Sequence, residues 1–319
     1  MNAPAALAAV SLDDKYTLDH GRVFLTGTQA LVRLPMLQRR RDVLAGLNTA
    51  GYISGYRGSP LGAYDQQLEK AKKHLEAHHV RFQPGVNEDL AATAIWGTQQ
   101  LNLFPGARYD GVFGIWYGKG PGVDRCGDVF RHANAAGTSP HGGVLALAGD
   151  DHGAKSSTQA AQSDFIWKAV GIPVLSPSSV QEYLDFGLHG FAMSRYSGCW
   201  VAMKCVTDIV EGSASVYVDP SRVNVVLPTD FEMPPGGVHI RWPEYLGFIE
   251  QEKRLYHHKL FAAMAYARVN GLNHAVWESP KARLGIVTTG KAYNDMRQAL
   301  DDLGLDEREA AHHSVKLFR

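Results

Sequence analysis

The chain has 319 residues, and its 32 lysines and arginines equal its 32 aspartates and glutamates in number. This balance excludes a global electrostatic attraction to nucleic acid or to a membrane surface. No apolar run approaches the length of a membrane span, and no basic residue precedes the apolar segment at residues 5–10, so neither a transmembrane helix nor a signal peptide is predicted. The three cysteines form no C-x-x-C pair, which excludes a zinc or iron–sulfur site built from them and favours buried thiols in the cytoplasm.

Apolar strand-like runs alternate with amphipathic helical stretches, which is the pattern of a mostly parallel α/β sheet with helices on both faces. The larger part of the chain predicts a compact domain of about six strands, at residues 52–56, 80–83, 110–117, 143–148, 173–175 and 199–205. The predicted helices cover residues 28–47, 63–76, 88–104, 123–135, 159–170 and 179–195. Arg39, Arg40 and Arg41 lie in the first of these helices, and such a run of charges predicts a solvated face.

The pattern changes beyond this domain. Prolines between residues 219 and 243 predict a connector, and residues 244–269 predict a long helix. A strand at 283–288, a helix at 293–303 and a strand at 315–318 then begin a second α/β unit that is too small to close its own core. The predicted segments are a flexible tail, a first domain, a linker with the long helix and a truncated second domain, at 1–20, 21–218, 219–280 and 281–319. We expect a fragment of a longer fused protein, the alternative being a chain that depends on partner subunits.

Two glycine-rich loops follow predicted strands, at the edge where open α/β sheets bind ligands. In the first loop, the residues that can approach or contact a ligand are Tyr56, Gly58, Ser59 and Pro60. It is either a simple turn or a loop whose backbone N–H groups and Ser59 hydroxyl face a ligand. The second loop includes Lys119 and Gly120, but no serine or threonine follows its lysine, so it is not a P-loop. Lys119 is either an anion contact or a solvated side chain.

Glu88 opens a predicted helix directly after Asn87, which is a good N-cap residue. Two interpretations stay open. Glu88 and Asp89 can simply complement the helix macrodipole from the first turn. Alternatively, one of the two carboxyl groups exchanges a proton with a ring nitrogen in a dry crevice. We expect that group to be Glu88, with Asp89 nearer to solvent.

Two further acids, Asp150 and Asp151, follow a later predicted strand. They differ from the Gly-Asp-Gly motif that holds magnesium and diphosphate in thiamine enzymes, and no asparagine occurs between residues 134 and 224 to complete that motif. We therefore expect both acids to cap or line a cleft at the strand end, and residues 156–158 to cap the following helix. The 14 histidines lack metal-ligand spacing, so no metal site held by this chain is predicted.

Three segments, in this order, resemble the amino-terminal portion of the thiamine-dependent 2-oxoacid:ferredoxin oxidoreductases, most closely the indolepyruvate ferredoxin oxidoreductase type. Residues 56–60 resemble the family's Tyr-Pro-x-Thr-Pro loop, although Arg57 replaces the first proline. Residues 87–89, followed by a helix of small residues at 91–94, resemble its glutamate segment. Residues 150–151 with Ser156 and Ser157 resemble its Asp-Asp…Ser-Ser segment.

The resemblance implies a thiamine-diphosphate pyrimidine-binding domain at residues 21–218, in which Glu88 contacts the aminopyrimidine ring and Ser59 touches cofactor and substrate. It also implies that residues 281–319 begin a transketolase C-terminal-like domain. Together with the two loops, it predicts that the cofactor lies against Tyr56, Gly58, Ser59, Pro60, Lys119 and Gly120.

The implied reaction is oxidative decarboxylation of an aryl or branched 2-oxoacid to an acyl-CoA, with electrons passing to ferredoxin. The enzyme would be a cytoplasmic homodimer, and its Mg2+ and 4Fe-4S clusters would be held by regions absent from this chain. The isolated fragment is therefore expected to be inactive. Two alternatives stay open: the half-site of a non-redox thiamine enzyme, such as a decarboxylase or a transketolase-like protein, or a non-catalytic α/β binding module.

Overall fold

The structure of the chain is a computed structural model that describes residues 10–241 and 247–319. The strands are β1 Gly21–Thr26, β2 Thr49–Gly55, β3 Val80–Phe82, β4 Gly111–Lys119, β5 Val144–Asp150, β6 Val174–Leu175, β7 Val201–Val206, β8 Ser213–Val218, β9 Ala275–Trp277, β10 Leu284–Val287 and β11 Val315–Phe318. The helices are α1 Asp14–Thr17, α2 Gly27–Leu44, α3 Tyr64–Lys70, α4 Lys72–Ala77, α5 Glu88–Thr98, α6 Gly120–Arg125, α7 Gly127–Ala136, α8 Asp164–Ala169, α9 Val180–Ser197, α10 Thr207–Val210, α11 Gly247–Arg254, α12 Leu260–Val269, α13 Lys291–Asp302 and α14 Glu307–His312. The apolar segment up to residue 9 and the predicted start of the long helix at 244–246 lie outside the described residues.

Six of these strands form a parallel sheet in the order β3-β2-β4-β5-β7-β6. Parallel neighbours require crossover connections, and the helices of those connections cover both faces of the sheet. One apolar cluster joins the sheet to α2, α3 and α9, and a second cluster joins its other face to α5, α7 and α8. Along β4, Phe113 and Ile115 belong to the first cluster and Trp116 to the second, which is the period-two alternation of a strand. The predicted fold class is confirmed.

Helix α2 is buried on nearly all sides, and the prediction of a solvated arginine face on it is wrong. Pro35 lies inside this helix without ending it. Neighbouring segments pass over the last turns of α2, and their carbonyl groups need donors that these arginines supply. All three arginines have specific partners: Arg39 donates to the carbonyl of Leu47 (3.0 Å), Arg40 pairs with Asp19, and Arg41 donates to the carbonyl of Pro220 (2.7 Å).

Several predicted helices are shorter or broken in the structure. The helix predicted at 63–76 is divided into α3 and α4, and the one predicted at 88–104 ends at Thr98. The helix predicted from residue 159 begins only at Asp164, because the residues before it form an irregular loop. Asp151 accepts from the backbone N–H of Lys155 (2.8 Å), and this bond competes with a helical backbone. Within the described ranges, no helix is long and apolar enough to cross a membrane.

Three strands, β1, β8 and β9, escaped the sequence prediction. Strands β1 and β8 form an antiparallel pair outside the main sheet, although 187 residues separate Thr26 from its partner Ser213. Strand β9 pairs antiparallel with β11, which also pairs parallel with β10. These pairs form a three-stranded sheet, and helix α13 beside it contacts the main domain where Asn294 Nδ2 donates to the carbonyl of Ser178 (2.6 Å).

The cysteines are buried and free, as predicted. Burial raises the pKa of each of the three thiols, because a thiolate is poorly solvated in an apolar interior. Cys126, Cys199 and Cys205 are therefore neutral packing residues.

Candidate functional site

The carboxyl ends of β2, β4 and β5 lie side by side in the sheet, so the loops that follow them form a continuous rim. These loops carry Ser59, Lys119 and Asp151. Helix α5 brings Glu88 to the same rim, where the indole N–H of Trp116 donates to the Glu88 carbonyl (3.0 Å). The candidate residues from separate parts of the chain therefore lie on one edge of the sheet.

The first turn of α5 positions Glu88. The Asn87 side chain accepts a hydrogen bond from the backbone N–H of Leu90 (2.8 Å), which confirms that it is the N-cap. Glu88 has only 7% of its side chain exposed, whereas Asp89 is half-buried. The helix terminus therefore favours both acids electrostatically, but one of them is turned into the protein.

The Glu88 carboxylate lies in a groove made by glycines. A Cβ added at Gly122 would be 2.7 Å from Glu88 Cγ and 2.8 Å from Oε1, and one at Gly118 would be 3.5 Å from Cγ. The other oxygen, Oε2, accepts from Arg125 Nη1 at 3.3 Å. Among the described residues, this is the one hydrogen bond that the carboxylate receives. A buried carboxylate with a single long hydrogen bond retains acceptor capacity for a ligand.

Ser59 is the centre of a second group of contacts on the rim. Its hydroxyl donates to Asp151, and its backbone N–H donates to Ser156 Oγ (3.0 Å). In return, the backbone N–H of Ser156 donates to Ser59 Oγ (3.1 Å). This reciprocal pairing fastens the loop after β2 to the loop after β5.

Asp151 follows β5 and accepts from the Lys155 and Gly153 amides, so it stabilises the loop after β5 and caps no helix. Burial works against its ionisation, but the hydrogen bonds from Ser59 and the two amides outweigh this effect and lower the pKa of Asp151. The prediction that residues 156–158 cap the next helix is wrong. Their contacts are with the neighbouring loops, and α8 begins after Ser163.

Lys119 is half-buried and bound within the protein. Its Nζ donates to the Ser156 carbonyl (2.9 Å) and to Ser157 Oγ (3.2 Å). The side chain passes over Gly58, where an added Cβ would lie 2.7 Å from Lys119 Cδ. Lys119 therefore fastens the same two loops that Ser59 joins, and its charge is directed at neutral oxygen atoms.

The remaining predicted residues lie around these two groups. Tyr56 is 40% exposed, and its backbone N–H donates to the Tyr117 carbonyl (3.1 Å). Pro60 packs against Gly149, where an added Cβ would lie 3.1 Å from Pro60 Cδ. Gly120 packs against Ala161, and a Cβ added to Gly120 would lie 2.4 Å from the Cβ of Ala161. Gly58, Ser59 and Lys119 are thus brought together, while Tyr56 lies at the open side.

Asp150, which was expected to cap or line a cleft together with Asp151, is instead buried inside the protein beside a lysine that the sequence did not single out. The Asp150 side chain is fully buried, 3.5 Å from Lys204 Nζ, and that ammonium also bonds Asp164 at 2.8 Å. Burial raises the pKa of Asp150 despite hydrogen bonds from Ser163 and the nearby Lys204. These residues are separated by up to 54 positions, and no local pattern links them. In the part of the chain that is described, no three acid, histidine or cysteine side chains come close enough to hold a metal ion.

A cavity of about 400 Å³ lies away from this rim, among Trp167, Pro173, Phe186, Leu260, Ala263 and Arg319. Its lining is mostly apolar and comes mainly from α8, β6, α9 and α12. It does not include Glu88 or Ser59. We base the functional argument on the rim, because convergent polar groups and not volume alone distinguish a reactive site.

The fold and the rim define the class of protein that the chain resembles. A solved 2-oxoglutarate:ferredoxin oxidoreductase from Magnetococcus marinus has a similar fold, with a TM-score of 0.62 and 15% sequence identity, covering 93% of this chain and 53% of that one. The sequence model of the indolepyruvate ferredoxin oxidoreductase middle domain matches residues 273–319.

The similarity extends to one subunit type. The chain is 25% identical over 304 residues to the indolepyruvate oxidoreductase subunit IorA of Methanothermobacter marburgensis, and 26% identical over 296 residues to that of Pyrococcus abyssi. These alignments cover 93% and 89% of this chain, but only 44% and 40% of the two relatives. The resemblance to the 2-oxoacid:ferredoxin oxidoreductases of the indolepyruvate type is therefore confirmed.

The residues present fit the aminopyrimidine end of thiamine diphosphate. That ring needs one buried carboxylate, and Glu88 supplies it with acceptor capacity to spare. The space that a Cβ at Gly122 would take is occupied by the Glu88 side chain, so the glycine fits a buried carboxylate at this position.

Proposed function

We propose that this chain is the pyrimidine-binding part of a thiamine-diphosphate-dependent 2-oxoacid:ferredoxin oxidoreductase, with residues 21–218 as the pyrimidine-binding domain. The observation that carries the proposal is the Glu88 carboxylate, which is buried in a glycine-lined groove at the carboxyl edge of a parallel sheet. Ligands of open α/β sheets bind at this edge. The similarity to IorA subunits over most of the chain supports the assignment.

When bound, thiamine diphosphate supplies the carbon nucleophile that attacks the 2-oxoacid and then holds the electron pair released with carbon dioxide. Glu88 would hold the aminopyrimidine and exchange a proton with its ring nitrogen. The glycines at 118 and 122 give the Glu88 side chain the room that holds its carboxylate in this position. Trp116 fixes the backbone of Glu88 through its indole N–H, so the carboxylate keeps its position when the ligand arrives.

Ser59 would face the cofactor and the substrate from the neighbouring loop, with Tyr56, Gly58, Pro60, Lys119 and Gly120 around it. Asp151 and Ser156 hold its hydroxyl, which pre-organises that loop. Lys119 supports the loop from behind through Ser156 and Ser157. The proposed substrate is an aryl or branched 2-oxoacid, which leaves as an acyl-CoA.

The rest of the enzyme would come from outside this chain, which spans 44% of one relative and 40% of another. Mg2+, the diphosphate-binding domain and 4Fe-4S clusters that pass electrons to ferredoxin belong to that part of the proposal. We also propose a homodimer in the cytoplasm, because thiamine sites form between domains and the free thiols suit a reducing compartment. Residues 281–319 would begin a transketolase C-terminal-like domain.

The test compares Glu88→Gln with Asp89→Asn in the complete protein. Both variants remove one carboxylate from the first turn of α5, so both weaken the macrodipole interaction alike. We expect only Glu88→Gln to weaken thiamine diphosphate binding in calorimetry with Mg2+, and to slow deuterium exchange at the acidic thiazolium carbon by about 100-fold.

Equal behaviour of the two variants would contradict the proposal and leave a non-catalytic α/β module. A loss confined to Glu88→Gln, but in a protein that reduces no ferredoxin with any aryl or branched 2-oxoacid, would assign the site to a non-redox thiamine enzyme. Cofactor binding and isotope exchange thus test the site, and ferredoxin reduction tests the reaction.

A further inference from the structure

The contact between Arg125 and Glu88 is unequal. Glu88 has 7% of its side chain exposed, whereas Arg125 has 61% exposed. The guanidinium reaches Oε2 from the solvent side at the end of α6, at a distance of 3.3 Å. Within the described ranges, Arg125 makes this hydrogen bond and no other. A long, exposed side chain that makes a single hydrogen bond is therefore the counter-ion of a buried carboxylate.

The two oxygen atoms of Glu88 differ in access. Oε1 packs against Gly122, so that an added Cβ there would be 2.8 Å away. Oε2 faces Arg125 and, beyond it, solvent. A ligand nitrogen that approaches from solvent therefore meets Oε2, the oxygen that Arg125 already occupies.

Arginine is unsuitable as a permanent partner for a carboxylate that must exchange a proton. Its positive charge favours the ionised carboxylate, and the guanidinium does not release its own proton in proteins. Without any partner, however, a buried carboxylate is strongly unfavourable. The cofactor-free protein therefore needs a counter-ion that the cofactor-bound protein must lose.

We infer that Arg125 occupies Oε2 of Glu88 in the cofactor-free protein and leaves it when the aminopyrimidine ring binds. This inference rests on the proposed function. Arg125 is thus a competitor for the ligand position and a positioning residue for the free carboxylate, not a contact of the bound cofactor. Its exposed side chain can return to water without disturbing the core, so the exchange moves no other element.

A competing side chain lowers the apparent affinity by the fraction of molecules in which the site is free. In the complete protein, Arg125→Ala is therefore expected to lower the Kd for thiamine diphosphate in calorimetry about three- to fivefold, the range of one half-exposed ion pair. Arg125→Lys keeps the charge, so its Kd should lie between that of the unsubstituted protein and that of Arg125→Ala. Arg131→Ala, on exposed α7 surface, removes the same charge without touching Glu88 and should leave the Kd unchanged.

Thermal unfolding gives a second readout. Arg125→Ala should lower the Tm of the cofactor-free protein relative to Arg131→Ala, because it leaves the Glu88 carboxylate without its partner. At saturating cofactor the difference should vanish, since Arg125 no longer touches Glu88 there. In Glu88→Gln protein, Arg125→Ala should change the Kd much less, because the two effects are coupled.

Unchanged binding by Arg125→Ala would overturn the inference, and weaker binding would overturn it and assign Arg125 a contact in the bound state. In that event, weak binding by Glu88→Gln would still support the proposed function. Normal binding by Glu88→Gln would instead overturn the proposed function itself. The two variants thus separate the two failures.

Discussion

Substituting Gly122 by alanine tests the position of Glu88 without changing its chemistry. The added Cβ would lie 2.7 Å from Glu88 Cγ, whereas ordinary contacts begin at 3.4 Å. Glu88 must therefore move by about 0.7 Å, because Gly122 lies within α6 and its backbone is held by helical hydrogen bonds. A displacement of this order at a reacting group is expected to reduce turnover about 10- to 100-fold. The side chain can adjust, so the free energy of unfolding should fall by only about 1 kcal/mol.

Gly127→Ala is the matched control, since an added Cβ there meets nothing within 4 Å. It should preserve activity and change stability by less than about 1 kcal/mol. The assay measures turnover of the 2-oxoacid and cofactor Kd in the complete protein, with urea unfolding to verify the fold. If folded Gly122→Ala protein bound the cofactor and turned over like Gly127→Ala, the assignment of the Glu88 groove would be refuted.

Three further variants test other contacts. Arg195→Met should lower the free energy of unfolding by about 3–5 kcal/mol in urea titrations, because it leaves the buried Asp42 carboxylate without a partner. The Arg195 guanidinium now donates to that carboxylate at 2.6 and 2.8 Å. An unchanged urea midpoint would contradict this expectation. Burial lowers the pKa of His189 to about 4, so the unfolded protein binds more protons than the folded protein between about pH 6.5 and pH 4. The free energy of unfolding therefore falls as the pH drops through this range, by at most about 3 kcal/mol. His189→Asn should remove that part of the pH dependence of Tm, and an identical pH curve would argue against it. Ser59→Ala should raise amide hydrogen exchange in residues 153–157 severalfold by mass spectrometry, since it removes the tie to Asp151, and equal exchange would show that the tie is dispensable.

The parallel sheet was predictable because its signals are local. Each central strand contains a short apolar run, and such runs predict strands without knowledge of their partners. The pairing of β1 with β8 was not predictable, because Val23 pairs with Val216, and nearly the whole sequence of the domain lies between these two residues. The prediction of a solvated face for the arginine run in α2 failed for the same reason. Arg41 is half-buried and donates to the carbonyl groups of residues 220 and 223, whose approach no local pattern encodes.

The candidate site shows the same division. Asn87 and Glu88 could be found because capping is a property of adjacent residues. The contacts that bury Glu88 could not be found in this way, since they come from Trp116 in β4 and Gly122 in α6. Arg125 also escaped prediction, because a lone arginine on a short helix carries no signal until the fold brings it to Glu88, 37 positions earlier.

The glycines at the junction of β4 and α6 explain why this segment looks like a phosphate loop without being one. An added Cβ at Gly118 would be 2.6 Å from the Trp116 ring, one at Gly120 would be 2.4 Å from Ala161, and one at Gly122 would be 2.7 Å from Glu88. Each glycine thus admits a different neighbour. The junction brings α5, the loop after β5 and β4 itself into contact at one point. Glycine is required here for close approach of protein to protein, and the same closeness keeps the Glu88 carboxylate away from water.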